Sequence, residues 1–182
     1  MLAKRVFIKP LPLIHINSKM KNDYIIPAQT RIGHVHLKVA DINRSLEFYC
    51  GLLGFELTTM YGNDAAFISA GGYHHHIGLN TWYSKGSRPA PVHGVGLFHT
   101  AILYPTRKDL AFIYKRLIDQ DYPLTGASDH GVSEALYLND PDENGVELYW
   151  DRPKELWPQK EDGSVEMFTR ALDLHGLLKE LE

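Results

Sequence analysis

The chain of 182 residues has one cysteine, no excess of basic residues and no long apolar run, and each shortage excludes a class of protein. Cys50 alone cannot form an intramolecular disulfide, so we expect a reducing compartment, with the cytoplasm as the default. Nineteen basic and 22 acidic residues give a net charge of −3, which argues against a partner bound through nucleic-acid phosphates. No stretch approaches the roughly 18 apolar residues of a membrane span. We therefore expect no nucleic-acid and no membrane partner.

Histidine is the residue that the chain has in excess. There are ten, and three of them, His74 to His76, are consecutive. With 44% apolar residues, the chain is long enough for one compact domain or for two small modules that share a core. The histidines therefore have to be explained within a single folding unit.

An internal repeat organises the chain. When His34 is placed over His99, an offset of 65 (99 − 34), both halves show a histidine, a short apolar strand and a helix start seven positions later. The helix starts are Asp41, a predicted N-cap, and Thr106, which begins a capping-box pattern. Gly54 is expected to end the first helix. The repeat predicts two halves of the same architecture.

Each half is predicted to contain one strand, one helix and three further strands, because short β-rich runs broken by Gly, Asn and Asp follow each helix. We predict an α+β fold in which two βαβββ modules, residues 31–84 and 95–153, form one cupped mixed sheet around a metal site. Residues 1–30 are interpreted as an N-terminal extension, and residues 154–182 as a tail with one short helix, Ala171 to Leu181. The helix faces are Ile42, Leu46, Tyr49 and Leu53 in the first half, and Leu110, Ile113, Leu117 and Ile118 in the second.

Three residues are candidate metal ligands. The repeat places His34 and His99 at equivalent positions on the first strand of each half, where they can converge. Glu147 lies in the strand GVELYW, on the face opposite its apolar neighbours, and is expected to point into the cup. Two histidines and one carboxylate form the facial arrangement that leaves coordination positions open in non-haem iron enzymes. His36, two positions after His34, is a rival ligand.

At this point the sequence resembles a known family. Four segments carry the likeness: GHVHLKVADINRSLEFYCGLLGF, YHHHIGLNTW, LFHTAILYPTRKDLA and SDHGVSEALYLNDPDENGVELYWDRP. Together they look like the vicinal-oxygen-chelate superfamily, which includes glyoxalases, bleomycin resistance proteins and extradiol dioxygenases. Within it, the likeness is greatest to the catechol 2,3-dioxygenase type, over residues 31–153. The resemblance implies Fe(II) held by His34, His99 and Glu147, with Mn, Zn or Ni as alternatives.

The resemblance also implies roles for neighbouring residues. His75 matches the family's acid–base histidine, although strand alternation favours His76 facing the cup beside Asn80, so both histidines stay open. His76 and Asn80 are the candidate substrate-binding residues. His130 matches the histidine that contacts the deprotonated oxygen of the substrate, and Tyr137, ten residues before Glu147, matches the motif tyrosine beside the site.

These expectations define three competing functions. The first is an Fe(II)-dependent extradiol dioxygenase that cleaves a catechol with O₂, with His75, His130 and Tyr137 as catalytic residues. The second is a glyoxalase-I-like Zn or Ni isomerase, which usually needs a further glutamate from the last strand of the first half. This chain has no carboxylate there, although His76 could substitute for it. The third is a non-catalytic small-molecule-binding protein. Exposed strand edges and the resemblance suggest a homodimer.

Overall fold

The computed structural model describes residues 24–182, and residues 1–23 lie outside its description. Most of the predicted extension, residues 1–30, therefore falls outside the described part. Gly33–Glu182 form one compact unit. The unit includes the tail after residue 153, so the tail is part of the same packed body as the two modules.

Both halves contain the predicted series of elements. The first has β1 (Val35–Lys38), α1 (Ile42–Leu46) continued by a π-helical turn (Glu47–Leu52), β2 (Glu56–Tyr61), β3 (Ala65–Ser69) and β4 (Ile77–Asn80). The second has β5 (Thr100–Leu103), α2 (Arg107–Asp119), β6 (Gly126–Asp129), β7 (Ser133–Asn139) and β8 (Gly145–Asp151). The tail adds a 3₁₀ turn (Lys154–Leu156), β9 (Arg170–Ala171), α3 (Leu174–Leu178) and a last 3₁₀ turn (Lys179–Leu181).

The strands form one sheet in each half. The first sheet has the order β1-β4-β3-β2 and the second the order β5-β8-β7-β6-β9. In each, the first strand pairs in parallel with the last strand of its module, and the other pairs are antiparallel. The α+β class and the two βαβββ modules are thus confirmed. The single sheet expected from the repeat is two separate sheets in this chain, with β1 and β5 each at an edge.

The helices begin where their capping residues predict. The Asp41 side chain accepts a hydrogen bond from the Arg44 N–H at 2.9 Å. Thr106 and Asp109 form the reciprocal capping box of α2. Gly54, with φ of 86°, adopts the left-handed conformation that ends the first helix. The tail helix begins later than predicted because Arg170–Ala171 pair with β6 as a short strand.

One apolar core joins the two modules. Its buried members come from both halves and include Leu37, Ile68 and Leu79 as well as Leu110, Leu136, Leu148 and the tail residue Leu177. Ile118, predicted on the inner face of α2, is instead 46% exposed, because the buried face of the helix ends at Leu117.

Polar contacts add to the connection between the modules. The buried Tyr49 hydroxyl donates to Asp140 Oδ2 at 3.0 Å, and the Ala40 N–H donates to Asp142 Oδ2 at 3.1 Å. Arg116 donates to the Leu52 carbonyl at 2.7 Å. The β7–β8 turn and the two helices therefore hold the halves together.

Within residues 24–182, no helix combines the length and the apolar character needed to cross a bilayer.

Candidate active site

The second sheet gathers three of the predicted site residues on one face. Tyr137 on β7 and Glu147 on β8 are directly paired, and side chains of directly opposed residues share a face about 5 Å apart. Ala101 on β5 is the other neighbour of Glu147. Strand register therefore brings Tyr137 and Glu147 together. His99 directly precedes β5, and its contact with Glu147 places it beside them.

These side chains form a continuous hydrogen-bonded chain. His99 Nε2 lies 2.9 Å from Glu147 Oε2. The Tyr137 hydroxyl lies 2.8 Å from Glu147 Oε1 and donates to it. On its other side, the same hydroxyl lies 2.8 Å from His130 Nε2. The structure thus connects four of the predicted residues in the order His99, Glu147, Tyr137, His130.

This hydrogen-bonded chain of side chains is largely shielded from solvent. The side chains of His99 and Glu147 are 31% and 13% exposed. Burial raises the pKa of the Tyr137 hydroxyl, and its hydrogen bond to Glu147 raises it further, so the phenol stays protonated at neutral pH. Nδ1 of His99 is buried and has no hydrogen-bond partner among the described residues.

A glycine allows His99 to lie this close to β8. A Cβ added to Gly145 would collide with the carbonyl oxygen of Phe98, so no other residue fits without moving the start of β5. Gly126, beside Tyr137, is not restricted in this way, because an added Cβ would lie 3.7 Å from the ring, an ordinary contact distance.

A cavity of about 630 Å³ adjoins this chain. His99 and Tyr137 lie in its wall, and the segment before β5 contributes the apolar side chains Val95, Leu97 and Phe98. This volume falls in the range of small-molecule sites, which combine apolar walls with a few polar groups. The cavity can therefore hold a small ring against the polar chain.

The first sheet holds the remaining histidines in a different way. His34 is exposed, and its ring lies 4.4 Å from that of His75, centroid to centroid. His75 also contacts Phe67, at 5.0 Å between the ring centroids. His36 lies between Phe67 and Trp82. Burial and the neighbouring His34 lower the pKa of His36.

The structure distinguishes the two rival histidines. His75 lies against His34, whereas the His76 ring approaches the Ser69 hydroxyl at 3.2 Å and the Ala70 N–H at 3.3 Å. Strand alternation does not decide between them, because both precede β4, which begins at Ile77. Asn80, the other candidate substrate-binding residue, is buried with its amide bonded to the chain itself.

The predicted metal trio is only partly assembled. Across residues 24–182, no three histidine, cysteine, aspartate or glutamate side chains lie close enough together to hold a metal ion. His99 and Glu147 are adjacent, and His34 is not gathered with them. The donor pair itself fits a metal: ligands bound at about 2.1 Å and at a right angle lie about 3.0 Å apart, close to the 2.9 Å between His99 and Glu147.

The structure adds a contact to the site that the sequence does not indicate. The carbonyl oxygen of Phe168, in the tail, lies 2.9 Å from His130 Nδ1. Because a backbone carbonyl is common to every residue, no pattern in the sequence could have revealed it.

The sequence matches a known family. The model of the glyoxalase/bleomycin resistance protein/dioxygenase superfamily matches residues 31–148. The chain belongs to this superfamily, as the resemblance of its motifs predicted.

Two curated relatives are similar to more than half of the chain. A catechol-2,3-dioxygenase of Bacillus subtilis (strain 168) is 39% identical over 156 residues, 85% of this chain and 53% of the relative. Biphenyl-2,3-diol 1,2-dioxygenase 3 of Rhodococcus globerulus is 33% identical over 122 residues, 66% of this chain and 63% of the relative. The chain thus spans between half and two thirds of the length of these relatives.

Solved structures share the fold. A lactoylglutathione lyase from Agrobacterium tumefaciens superposes with a TM-score of 0.54 at 18% identity, over 68% of this chain and 96% of that one. A glyoxalase/dioxygenase from Nostoc punctiforme superposes with a TM-score of 0.59 at 16% identity, over 72% and 99%. At these identities the likeness concerns the fold alone.

Proposed function

We propose that the protein is an Fe(II)-dependent extradiol dioxygenase, which cleaves the ring of a catechol with O₂ beside its two hydroxylated carbons. The observation that carries the proposal is the hydrogen-bonded chain of His99, Glu147, Tyr137 and His130 beside a cavity of about 630 Å³. The two curated relatives, both named as dioxygenases of aromatic diols, support the same chemistry.

His99 and Glu147 are the proposed metal-binding pair, because their separation suits two ligands of one ion. Fe(II), when bound, supplies Lewis acidity and open coordination positions for the diol and for O₂. Mn, Zn and Ni remain alternative metals, since all three also accept imidazole and carboxylate ligands.

The chain's own residues would bind and orient the substrate. Tyr137 Oη and His130 Nε2 lie at the end of the polar chain and can hydrogen-bond the oxygens of a diol. The apolar side chains of Leu97 and Phe98 in the wall of the cavity can contact the ring of the substrate. His75 is the proposed acid–base residue, and its contact with His34 ties it to the third proposed ligand.

We propose that a second copy of the chain completes the ligand set with its own His34. β1 and β5 are edge strands of separate sheets, so each sheet can be extended by another chain. Beside these edges, Phe98 is 88% exposed and Trp82 is 51% exposed, which is typical of a surface covered by a partner. A symmetric homodimer would then contain two equivalent sites.

The shared site can be tested by mixing two inactive variants. His34→Ala and Glu147→Ala homodimers should each lose activity. After subunit exchange, half of the dimers are mixed, and each has one intact site of two, so the mixture should recover about a quarter of wild-type activity. Native mass spectrometry confirms that mixed dimers form. Mixed dimers without activity would show that the three ligands come from one chain.

The reaction itself is tested with protein loaded anaerobically with Fe(II). We expect O₂ uptake and a yellow ring-fission product when simple catechols or biphenyl-2,3-diol are added. Absence of turnover with every catechol, at confirmed iron occupancy, would contradict the proposed function.

The structure weighs against the isomerase alternative. In the first sheet, the position equivalent to Glu147 is Gly78, because Gly78 pairs with His36 as Glu147 pairs with Ala101. A second carboxylate ligand therefore has no counterpart there. Isomerisation of a hemithioacetal by Zn- or Ni-loaded protein without O₂ would favour the isomerase instead. A metal-independent binder would keep its catechol affinity in Glu147→Ala.

A further inference from the structure

The tail contacts the candidate site at His130. The backbone of Phe168 bonds this residue twice: its carbonyl lies 2.9 Å from His130 Nδ1, and its N–H donates to the His130 carbonyl at 3.3 Å. The Thr169 hydroxyl lies 3.3 Å from the same Nδ1. The imidazole is therefore held between the tail on one side and Tyr137 on the other.

The Phe168 ring keeps this contact in place. A Cβ added to Gly131 would lie 2.8 Å from the ring, so the aromatic side chain packs directly over the glycine that follows His130. Gly131 also has a φ of 81°, which disfavours any other residue. The Arg170 guanidinium also contacts this ring, at 4.1 Å from its centroid.

The loop that carries His130 has a second support that is independent of the tail. Arg152 bonds both carboxylate oxygens of Asp129, at 2.6 and 3.1 Å, and the Gly131 carbonyl at 3.1 Å. These bonds hold the backbone on either side of His130. What depends on Phe168 is thus the direction and the protonation pattern of the imidazole.

Because a carbonyl oxygen can only accept a hydrogen bond, the contact with Phe168 assigns a proton to Nδ1 of His130. Nε2 is then an acceptor that faces Tyr137, so in this tautomer the single phenol proton is donated either to Glu147 Oε1 or to Nε2. We propose that Phe168 is a positioning residue of the active site, and that the tail fixes His130 in the tautomer and orientation that present Nε2 to the substrate. The inference rests on the proposed function for its catalytic consequence, though not for the tautomer.

The test uses three substitutions in the full-length chain. Phe168→Ala removes the ring and loosens the carbonyl, whereas Phe168→Leu keeps most of the apolar contact with Gly131 and should rescue the effect. Met167→Ala is the matched control, because Met167 is the preceding apolar side chain and is 66% exposed.

The first readout is the imidazole ¹⁵N spectrum of metal-free protein near pH 8, with the His130 signals assigned by their loss in His130→Gln. In the wild type, in Phe168→Leu and in Met167→Ala we expect one tautomer with the proton on Nδ1. In Phe168→Ala we expect a mixture of the two. An unchanged His130 spectrum in folded Phe168→Ala would overturn the proposal, whether or not the protein is a dioxygenase.

The second readout is turnover of catechol by the Fe(II) protein. Phe168→Ala should lower kcat about tenfold with little change in KM. In the His130→Gln background the same substitution should have no further effect, because Phe168 acts through His130. Equal losses in both backgrounds would overturn a positioning role. A wild type that shows the locked tautomer but no turnover would contradict only the proposed function.

Discussion

The two sheets differ at one pair of equivalent positions beside the candidate site. The offset of 65 places His36 over Ala101, and the strand partners of these residues are Gly78 in the first sheet and Glu147 in the second. In the first sheet the His36 ring lies over Gly78, so close that a Cβ added to Gly78 would be only 2.8 Å from the ring. The second has a small residue beside a carboxylate. With the same topology, the first sheet has its large side chain on the edge strand, at His36, and the second sheet has its charged side chain on the neighbouring strand, at Glu147.

The next strand continues the contrast. Gly78 is flanked by Phe67, whereas Glu147 is flanked by Tyr137. The second sheet can therefore connect its polar groups into a hydrogen-bonded chain, while the first packs imidazoles against an aromatic ring. At these positions the side chains make the duplicated fold asymmetric. The second sheet supplies a preformed polar centre, and the first supplies histidines that need a partner.

Metal affinity should show this asymmetry most strongly. Glu147→Gln removes one of two adjacent ligands and should weaken Fe(II) binding by more than about 100-fold, whereas His34→Gln leaves the preformed pair intact and should weaken it about tenfold. Anaerobic titration with Fe(II) measures both, with the exposed Glu166→Gln as control. Equal losses of Fe(II) affinity in the two ligand variants would show that His99 and Glu147 do not bind Fe(II) without His34.

Catalysis should depend on one of the two rival histidines in the first module. His75→Gln should lower kcat about 100-fold, because an acid–base residue is lost, with metal content unchanged. His76→Gln, whose ring contacts Ser69 rather than His34, should stay within about threefold of wild type. Steady-state kinetics with catechol decides between them. The reverse pattern would make His76 the catalytic residue.

The ion pairs of the two modules should differ in their contribution to stability. Glu134 is 6% exposed and bonds both Arg107 and Arg152, so Glu134→Gln should lower the free energy of unfolding by about 2 kcal/mol. The exposed pair of Lys85 and Asp64 should contribute less than about 1 kcal/mol, as tested by Asp64→Asn. Urea denaturation measures both. Similar values for the two variants would contradict the contrast.

The crowding of His36 over Gly78 predicts a coupled pair of substitutions. Gly78→Ala should destabilise the protein by about 1 kcal/mol, because the added methyl group meets the His36 ring. In the His36→Ala background, which imitates the second sheet, this cost should disappear. A double-mutant cycle by thermal denaturation measures the coupling. Additive effects would show that the ring moves aside freely.

The smallest expected effect is a pH dependence that arises in the second module. Hydrogen bonds from Arg152 hold the pKa of Asp129 below its usual range. The ionised carboxylate therefore stabilises the fold above the unfolded-state pKa of about 4, and this stabilisation is lost as the pH falls through the folded-state value. In Asp129→Asn, stability should fall less steeply in acid. If urea titrations show the same decrease in unfolding free energy with falling pH in both proteins, Asp129 does not contribute to the acid sensitivity.

Much of this architecture was predictable because its causes are local. The side chains of Asp41 and Thr106 cap helices through bonds to residues three positions away, and such caps are visible in any short window of sequence. The offset between His34 and His99 predicted two modules with equivalent first strands. Alternation within β8 predicted that Glu147 leaves the apolar face, and β7 pairing then placed Tyr137 beside it.

Other features depend on contacts between distant parts of the chain. His130 meets Phe168 across 38 residues, through a backbone carbonyl that has no sequence signature. His75 lies before β4, so strand alternation cannot orient its side chain. Its direction is fixed only by packing against His34 and Phe67.

The sequence by itself determined the two modules, the starts of α1 and α2 and the residue types of the site, because these follow from periodicity, capping and strand alternation within each half. Only the tertiary structure decided how the halves associate, since Tyr49 and Asp140 meet through packing of helix against turn. That packing leaves β1 and β5 at separate edges and gathers His99, Glu147, Tyr137 and His130 without His34. The sequence alone could not predict this association, because it depends on the fit of whole surfaces, which no local pattern encodes.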